Sequence, residues 1–270
     1  MASLRRVCRV LDLSRSSLYA AANEAKAKIE PDVALVERIH LLIQQHPTFG
    51  YRRIWALLRY REGQPVNRKK IYRLMKIKGW MLHQRMVTPR PRVQKLRSRA
   101  GASNERWAMD LTHIYCGADG WGHLAAVIDC HDREIVGYEF ALRGRAKEAE
   151  RALEQACLKR FGTLRPVGQT PVIRSDNGLV FQSRRFREAC RFYRVKQEYI
   201  TPYTPEQNGM IERFFRSLKE ECVWQHNFEN FGQASAKVRE WIKWYNEERP
   251  HQALGYQSPV GYRQQRPLVA

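Results

Sequence analysis

At Arg106 the hydrophobic period of the chain changes, and that change does most to restrict the fold. Before it, apolar residues recur at helical spacing. After it, Trp107–Tyr115, Gly122–Asp129 and Glu134–Ala141 are rich in β-formers, separated by short polar turns at Gly117–Gly120 and His131–Arg133. Three strands spaced this closely predict an antiparallel meander. Helix and strand then alternate: a helix over Ala146–Phe161, a short strand at Pro171–Arg174, a helix at Ser183–Tyr193 and a strand at Val195–Ile200. Two further helices follow, at about Gln207–His226 and Ala234–Asn246. That order predicts an α/β layered fold.

The part before Arg106 is helical and strongly basic. Residues 1–103 carry 23 Lys+Arg against 6 Asp+Glu, a net of +17 out of +21 for the whole chain. Such asymmetry is the electrostatic footprint of a polyanion-binding region, and inside a cell the common polyanion is nucleic acid. Two helix-turn-helix patterns coincide with the charge. In the first, Leu4, Val7, Val10 and Leu11 share a helical face, Asp12-Leu13 makes a turn, and Ser14 caps a helix through Leu18 and Tyr19. In the second, a helix begins at Pro31 and ends before Pro47, with Val33, Leu35, Val36, Ile39, Leu42 and Ile43 on its apolar side. Phe49–Leu58 forms another, with Arg52 and Arg53 near its start; after a turn at Gly63–Pro65, Asn67 caps a helix over Arg68–Met75 that stops at Gly79. Ile71, Leu74 and Met75 face inward there, leaving Arg68, Lys69, Arg73 and Lys76 for solvent or phosphate. A merely solvated basic face has the same pattern. Residues 83–103, with Pro89, Pro91 and scattered Arg and Lys, read as an extended basic linker. The predicted division is therefore 1–82 helical DNA-binding region, 83–103 linker, 104–227 an α/β core, and 228–270 a C-terminal helix and tail packing on that core.

Several classes are excluded on composition. Apolar residues make up 43% of the chain, enough for packed cores, which rules out wholesale disorder. The longest apolar run near the middle, Leu124–Ile128, is far short of the ~20 residues a membrane span needs. A secretory leader pattern is not evident, so a cytoplasmic location is expected. Cys8, Cys116, Cys130, Cys157, Cys190 and Cys222 are scattered, with no C-x-x-C pair; that predicts unpaired thiols and neither a disulfide framework nor a zinc knuckle.

Three carboxylates stand out in the second half. Asp110 sits mid-strand, where Asp is disfavoured; alone it reads as an edge residue facing solvent. Asp176, in Ser175-Asp176-Asn177-Gly178, alone reads as a turn, and Glu212 alone as a solvated helical acid. Their spacing is informative: 65 residues separate Asp110 from Asp176, and 35 separate Asp176 from Glu212. An Asp, then Asp-Asn-Gly, then Pro205-x-x-Asn208-Gly209-x-x-Glu212 resembles the DDE signature of transposases and retroviral integrases. Lys219, seven residues after Glu212 and on the same helix face, matches the basic position expected there. His46-Pro47-Thr48-Phe49-Gly50-Tyr51-Arg52-Arg53-Ile54 resembles the helix-turn-helix segment of bacterial insertion-sequence transposases of the OrfB type. Tyr245-Asn246-Glu247-Glu248-Arg249-Pro250-His251-Gln252-Ala253-Leu254-Gly255-Tyr256, followed by Ser258-Pro259, is similar to their C-terminal signature. These matches run from about Pro47 to Tyr262. The zinc-binding His-His-Cys-Cys domain of retroviral integrases is not evident, which favours the bacterial type.

The resemblance implies a ribonuclease-H-like core, a mixed five-stranded sheet flanked by helices, preceded by all-α helix-turn-helix segments. It implies DNA strand cleavage and strand transfer at the ends of a mobile element, with a circular intermediate. It also implies two Mg²⁺ ions, for which Mn²⁺ can substitute, held by Asp110, Asp176 and Glu212. Lys219, Arg216, Asn208, Arg52, Arg53, Arg68, Lys69 and Arg73 are the candidate DNA contacts. The implied partners are double-stranded DNA (element ends and target), a second copy of the chain, and a protein made from an upstream reading frame. Asp129 and Asp132 are weaker metal-ligand candidates in a region that supports the core. Trp241, Trp244 and Tyr245 read as core packing. Two alternatives share part of this reading: a ribonuclease-H-like nuclease that cuts without joining, and a catalytically silent DNA-binding protein. The first leaves the N-terminal patterns and the 35-residue gap unexplained; the second leaves the retention of all three acids unexplained.

Overall fold

The computed structural model describes residues 4–12, 14, 32–83, 99–202 and 204–265. Helix α1 (Leu4–Val10) ends in a turn at Leu11-Asp12; the second helix expected through Tyr19, and the body of the basic linker, lie outside the described residues.

A compact helical module follows. It comprises α2 (Val33–Gln45), α3 (Tyr51–Ala56), which continues into a wider π-type turn at Leu57–Arg61, and α4 (Arg68–Ile77). Asp32 caps α2 by accepting from the Leu35 amide, and Asn67 caps α4 by accepting from the Lys69 amide at 2.8 Å. Caps of this kind stabilise a helix by ~1 kcal/mol each. Leu35, Ile39, Leu42, Phe49, Ile54, Leu57, Leu58, Ile71 and Met75 form the module's own core. The α3 helix extends beyond the expected end at Leu58 because Trp55 Nε1 donates to the Val66 carbonyl at 2.8 Å, tying the turn back onto it.

The five strands are β1 (Arg106–Tyr115), β2 (Trp121–Asp129), β3 (Ile135–Ala141), β4 (Val172–Ser175) and β5 (Lys196–Tyr199). They form one sheet in the order β3-β2-β1-β4-β5. The β1–β2 and β2–β3 pairs are antiparallel; β1–β4 and β4–β5 are parallel. This is the mixed, ribonuclease-H-like arrangement expected, and β1 is where parallel and antiparallel halves meet.

Alternation along β1 and β2 divides the interior into two layers. Trp107, Met109, Ala125 and Val127 pack beneath α5 (Ala146–Phe161) and α7 (Arg184–Phe192), with the short α6 (Leu179–Gln182) beside them. Ala108, Ile114, Leu124, Ala126 and Ile128 face α8 (Gly209–Glu221) and α9 (Phe231–Glu247), with Trp241 and Tyr245 in that core as anticipated. A short α10 (Pro259–Gln264) ends the described chain. The expected helix from Gln207 to His226 is broken. A 3₁₀ turn at Pro205–Asn208 precedes α8, since Pro205 has no N–H to donate, and another 3₁₀ turn at Val223–Gln225 follows it. Gly137 on β3 is a close-approach position: a Cβ there would lie 2.1 Å from the Ala152 carbonyl oxygen, so glycine lets α5 lie against the sheet.

Asp129 and Asp132 are fully buried beside Glu134, and Arg160 reaches all three, at 3.8, 2.9 and 3.2 Å. Lys159 and Arg263 add to Glu134 at 2.8 Å each. Asp129 also accepts from the amides of Asn104 and His131. The cluster ties the β2–β3 turn to α5 and α10, so these two acids are engaged structurally. All six cysteines are free and buried. Among the described residues no helix is long and apolar enough to cross a membrane.

Candidate active site

The parallel pairing of β1 with β4 sets Arg106 opposite Val172, Trp107 opposite Ile173 and Ala108 opposite Arg174. Extending that register by two residues brings Asp110 level with Asp176, just past the carboxyl end of β4. Adjacent strands lie ~4.8 Å apart, so residues 66 positions apart in sequence become neighbours at the edge where open α/β sheets bind ligands. Asp110 belongs to the β1 face that looks toward α8, the helix carrying Glu212 in its first turn.

Each acid is fixed locally. Asp110 Oδ1 accepts from the Leu111 amide at 2.7 Å. Asp176 Oδ1 accepts from the Gly178 amide at 3.0 Å, and a Cβ on Gly178 would lie 2.9 Å from that same oxygen. The glycine of Asp-Asn-Gly is thus a space requirement of the carboxylate. Asn177 Nδ2 donates to the Ile200 carbonyl at 3.0 Å, fastening the loop to the end of β5.

The electrostatics are those of an acid group short of positive charge. Burial pushes the Asp110 carboxyl from its usual 3.8 up to about 7; the Leu111 amide pulls it down, and Asp176 and Glu212 push it further up. Glu212 is also raised, by burial and then by Glu206, although much of its surface is exposed. None of the three acids enters an ion pair among the described residues, where 18 such contacts occur elsewhere. Oxygen donors with unneutralised negative charge suit a hard divalent cation. The three are within electrostatic range of one another through Asp110. Among the described residues, however, no three His, Cys, Asp or Glu side chains are gathered tightly enough to hold one ion.

The start of α8 is held by side chains that sequence reasoning did not single out. Arg174, fully buried on β4 two residues before Asp176, donates to Glu198 at 2.9 Å and to the Gln207 carbonyl at 3.0 Å. Gln207 in turn accepts from the Thr201 amide at 2.9 Å. The available signal was an arginine inside a four-residue central strand, a position where an unpartnered charge is not tolerated.

The candidate DNA contacts separate into two groups. Arg52, Arg68, Lys69, Arg73 and Arg216 are exposed, and Lys219 is half-buried two turns after Glu212. Arg216 pairs with Glu220 at 2.8 Å. Asn208 is buried, and Arg53, about a third exposed, pairs within the protein. Asn208 is 2% exposed and donates to the Met109 carbonyl at 3.3 Å, bracing α8 against β1 next to Asp110. Arg53 pairs with Glu221 at 3.0 Å, with its guanidinium 4.9 Å from the Phe49 ring centre.

Comparison with known proteins bears on the domains and the fold. Two models described as an integrase core domain match residues 100–205 and 193–259, and a helix-turn-helix-like domain matches residues 30–86. The transposase InsD for insertion element IS2A/D/F/H/I/K of Escherichia coli is 29% identical over 273 residues, covering 96% of this chain and 90% of that protein. Among solved structures, a chain of the simian T-cell lymphotropic virus intasome, in complex with the PP2A regulatory subunit B56 gamma, aligns with a TM-score of 0.53 at 16% identity. That alignment covers 83% of this chain and 74% of the other, and it supports the fold. With the core, the preceding helical module and the C-terminal segment all matched in order, the chain carries an integrase core domain and is similar over nearly its whole length to insertion-element transposases.

Proposed function

We propose that Asp110, Asp176 and Glu212 form the centre at which this transposase cuts and rejoins phosphodiesters at the ends of its mobile element. The observation that carries this reading is the Asp110–Asp176 alignment, next to α8 and without a positive partner among the described residues. The three carboxylates would hold Mg²⁺, two ions by this reading, and Mn²⁺ is the expected substitute. Bound there, the metal supplies the positive charge that makes the attacking oxygen more acidic and stabilises the leaving oxygen.

The chain's own residues position the reacting groups. Arg174, Gln207 and Asn208 lock the start of α8 to β4 and β1, which sets the direction of Glu212. Lys219 and Arg216 lie on the same side of α8 as Glu212, where they would meet DNA phosphate, and Arg52, Arg68, Lys69 and Arg73 offer a basic surface on the helical module. In the first step water attacks a phosphodiester at the element end; a P–O bond forms, the old one breaks, and the leaving strand departs with a 3′-hydroxyl. In the second step that hydroxyl attacks another phosphodiester, exchanging one P–O bond for another, with no protein-bound intermediate. Joining two ends calls for at least two copies of the chain on DNA, and a protein from an upstream frame is a further candidate partner.

The test is a strand-transfer assay on a labelled duplex that carries the element's terminal inverted repeat with a pre-cleaved 3′ end. Joined product in Mg²⁺ is expected, and its loss in Asp110→Asn, Asp176→Asn and Glu212→Gln while the DNA is still bound. Cutting without joining would favour the nuclease reading, and joining at the wild-type rate by any of the three variants would refute the assignment.

A further inference from the structure

Two segments singled out in the sequence meet in space. One is the run from His46 to Ile54 that leads into α3; the other is the run from Tyr245 to Tyr256, which completes α9 and continues past it, with Trp244 immediately before it. The Trp244 ring packs against the module's core and against the α8–α9 layer at once, stacking on His46 at 5.3 Å and lying 6.0 Å from Phe49. Tyr256 contacts Trp55 edge-on at 5.4 Å and lies parallel to Tyr60 at 6.5 Å. Arg61 pairs with Glu248 at 2.6 Å at the rim.

At the centre lies a shared carboxylate. Glu221, the last residue of α8, accepts two hydrogen bonds from the buried Arg249 guanidinium, at 2.7 and 2.6 Å, and a third contact from Arg53 at 3.0 Å. The Arg249 and Glu221 side chains are 4% and 6% exposed. Arg249 also lies over the Tyr245 ring at 5.4 Å, so its position is set by α9. A bidentate pair held out of water has one geometry, because misalignment leaves a buried charge unpaired. The helical module, the C-terminal segment and the helix bearing Glu212 therefore converge on one side chain.

We propose that these two segments form a rigid joint that holds the DNA-reading module at a set distance from Asp110, Asp176 and Glu212, and so selects which phosphodiester is cut. The inference rests on the transposase reading. Arg249, Glu221, Arg53, Trp244 and Tyr256 act through the module and are positioning residues. A loose connection would let the same bound end present several neighbouring phosphates; a stiff one presents a single phosphate.

The experiment maps cuts at single-nucleotide resolution on an end-labelled duplex carrying the terminal repeat, using the full chain and Mg²⁺. Wild-type protein is expected to cut at one position. Arg53→Ala/Tyr256→Ala is expected to spread the cuts over neighbouring positions, with a several-fold loss at the original one relative to its neighbours. The conservative pair Arg53→Lys/Tyr256→Phe, which keeps the charge and the aromatic ring, is expected to restore the single position. A purely architectural role would lower cutting everywhere without moving it. Unchanged cut positions in the alanine variant, whatever the total yield, overturn the joint as a measuring device. Wild-type protein that leaves the duplex uncut would instead refute the transposase reading, so the two failures are distinct.

Discussion

Replacing Asp110 by Asn is expected to make the metal-free protein more stable while abolishing its chemistry. Burial, reinforced by Asp176 and Glu212, raises the Asp110 carboxyl to about 7 in the folded state, whereas an unfolded Asp titrates near its ordinary 3.8. The fold thus prefers the protonated acid. Its contribution is complete below the unfolded value, falls as pH rises from about 4 to 7, and is lost above that. A shift of this size corresponds to a cost on the order of 4 kcal/mol at pH 8. Asn keeps an oxygen for the Leu111 amide and carries no charge, so it removes that cost. For a domain of this size the gain is roughly 10 °C in melting temperature. Thermal unfolding in EDTA at pH 8 and again toward pH 4 reads the effect: the variant melts higher at pH 8, and the difference closes in acid. Adding Mg²⁺ at ~100 times its Kd should raise the wild type by ~2.7 kcal/mol and leave the variant nearly unmoved. A variant that melts at or below the wild type at pH 8 would show that Asp110 is not a stranded buried carboxylate, and the site's electrostatic rationale would fail with it.

Gly178→Ala should push a Cβ into the Asp176 carboxylate, which it would meet at 2.9 Å, and lower the joining rate by ~10–100-fold with end binding intact; gel shift and joining assays together check this. Arg160→Met should destabilise the protein by ~3–5 kcal/mol in urea unfolding, because Asp129, Asp132 and Glu134 lose their common buried partner, and Asp129→Asn should retain joining. Binding to duplex DNA should weaken with salt by ~0.9 in log K per log unit for each phosphate neutralised; deleting residues 1–103 should flatten that slope, and an unchanged slope would move the main DNA surface into the core.

The strands and helices of the core were legible because each has an unambiguous period. The three acids were picked out through the resemblance of Asp110, Asp-Asn-Gly and Pro-x-x-Asn-Gly-x-x-Glu to the DDE signature, since each acid alone reads as an edge, turn or solvated residue. What could not be read was how polar side chains are used once buried. Arg53 and Asn208 look like surface DNA contacts in sequence, yet one pairs with the buried Glu221 and the other braces α8 against β1. Arg174 gave little local sign of supporting the Gln207 carbonyl, 33 positions away in the chain. The break before α8 was equally hidden, since Pro205 fits both the first turn of a helix and the end of a loop. Long-range pairings of this kind depend on which strands are adjacent, and adjacency is a property of the sheet order.

The most direct measurement is anomalous diffraction from crystals of the protein bound to a terminal-repeat duplex and soaked in Mn²⁺. The account expects metal density coordinated by carboxylate oxygens of Asp110, Asp176 and Glu212 at ~2.0–2.2 Å, beside the phosphate to be cut. Metal bound elsewhere, or held without Glu212 even with DNA in place, would contradict it.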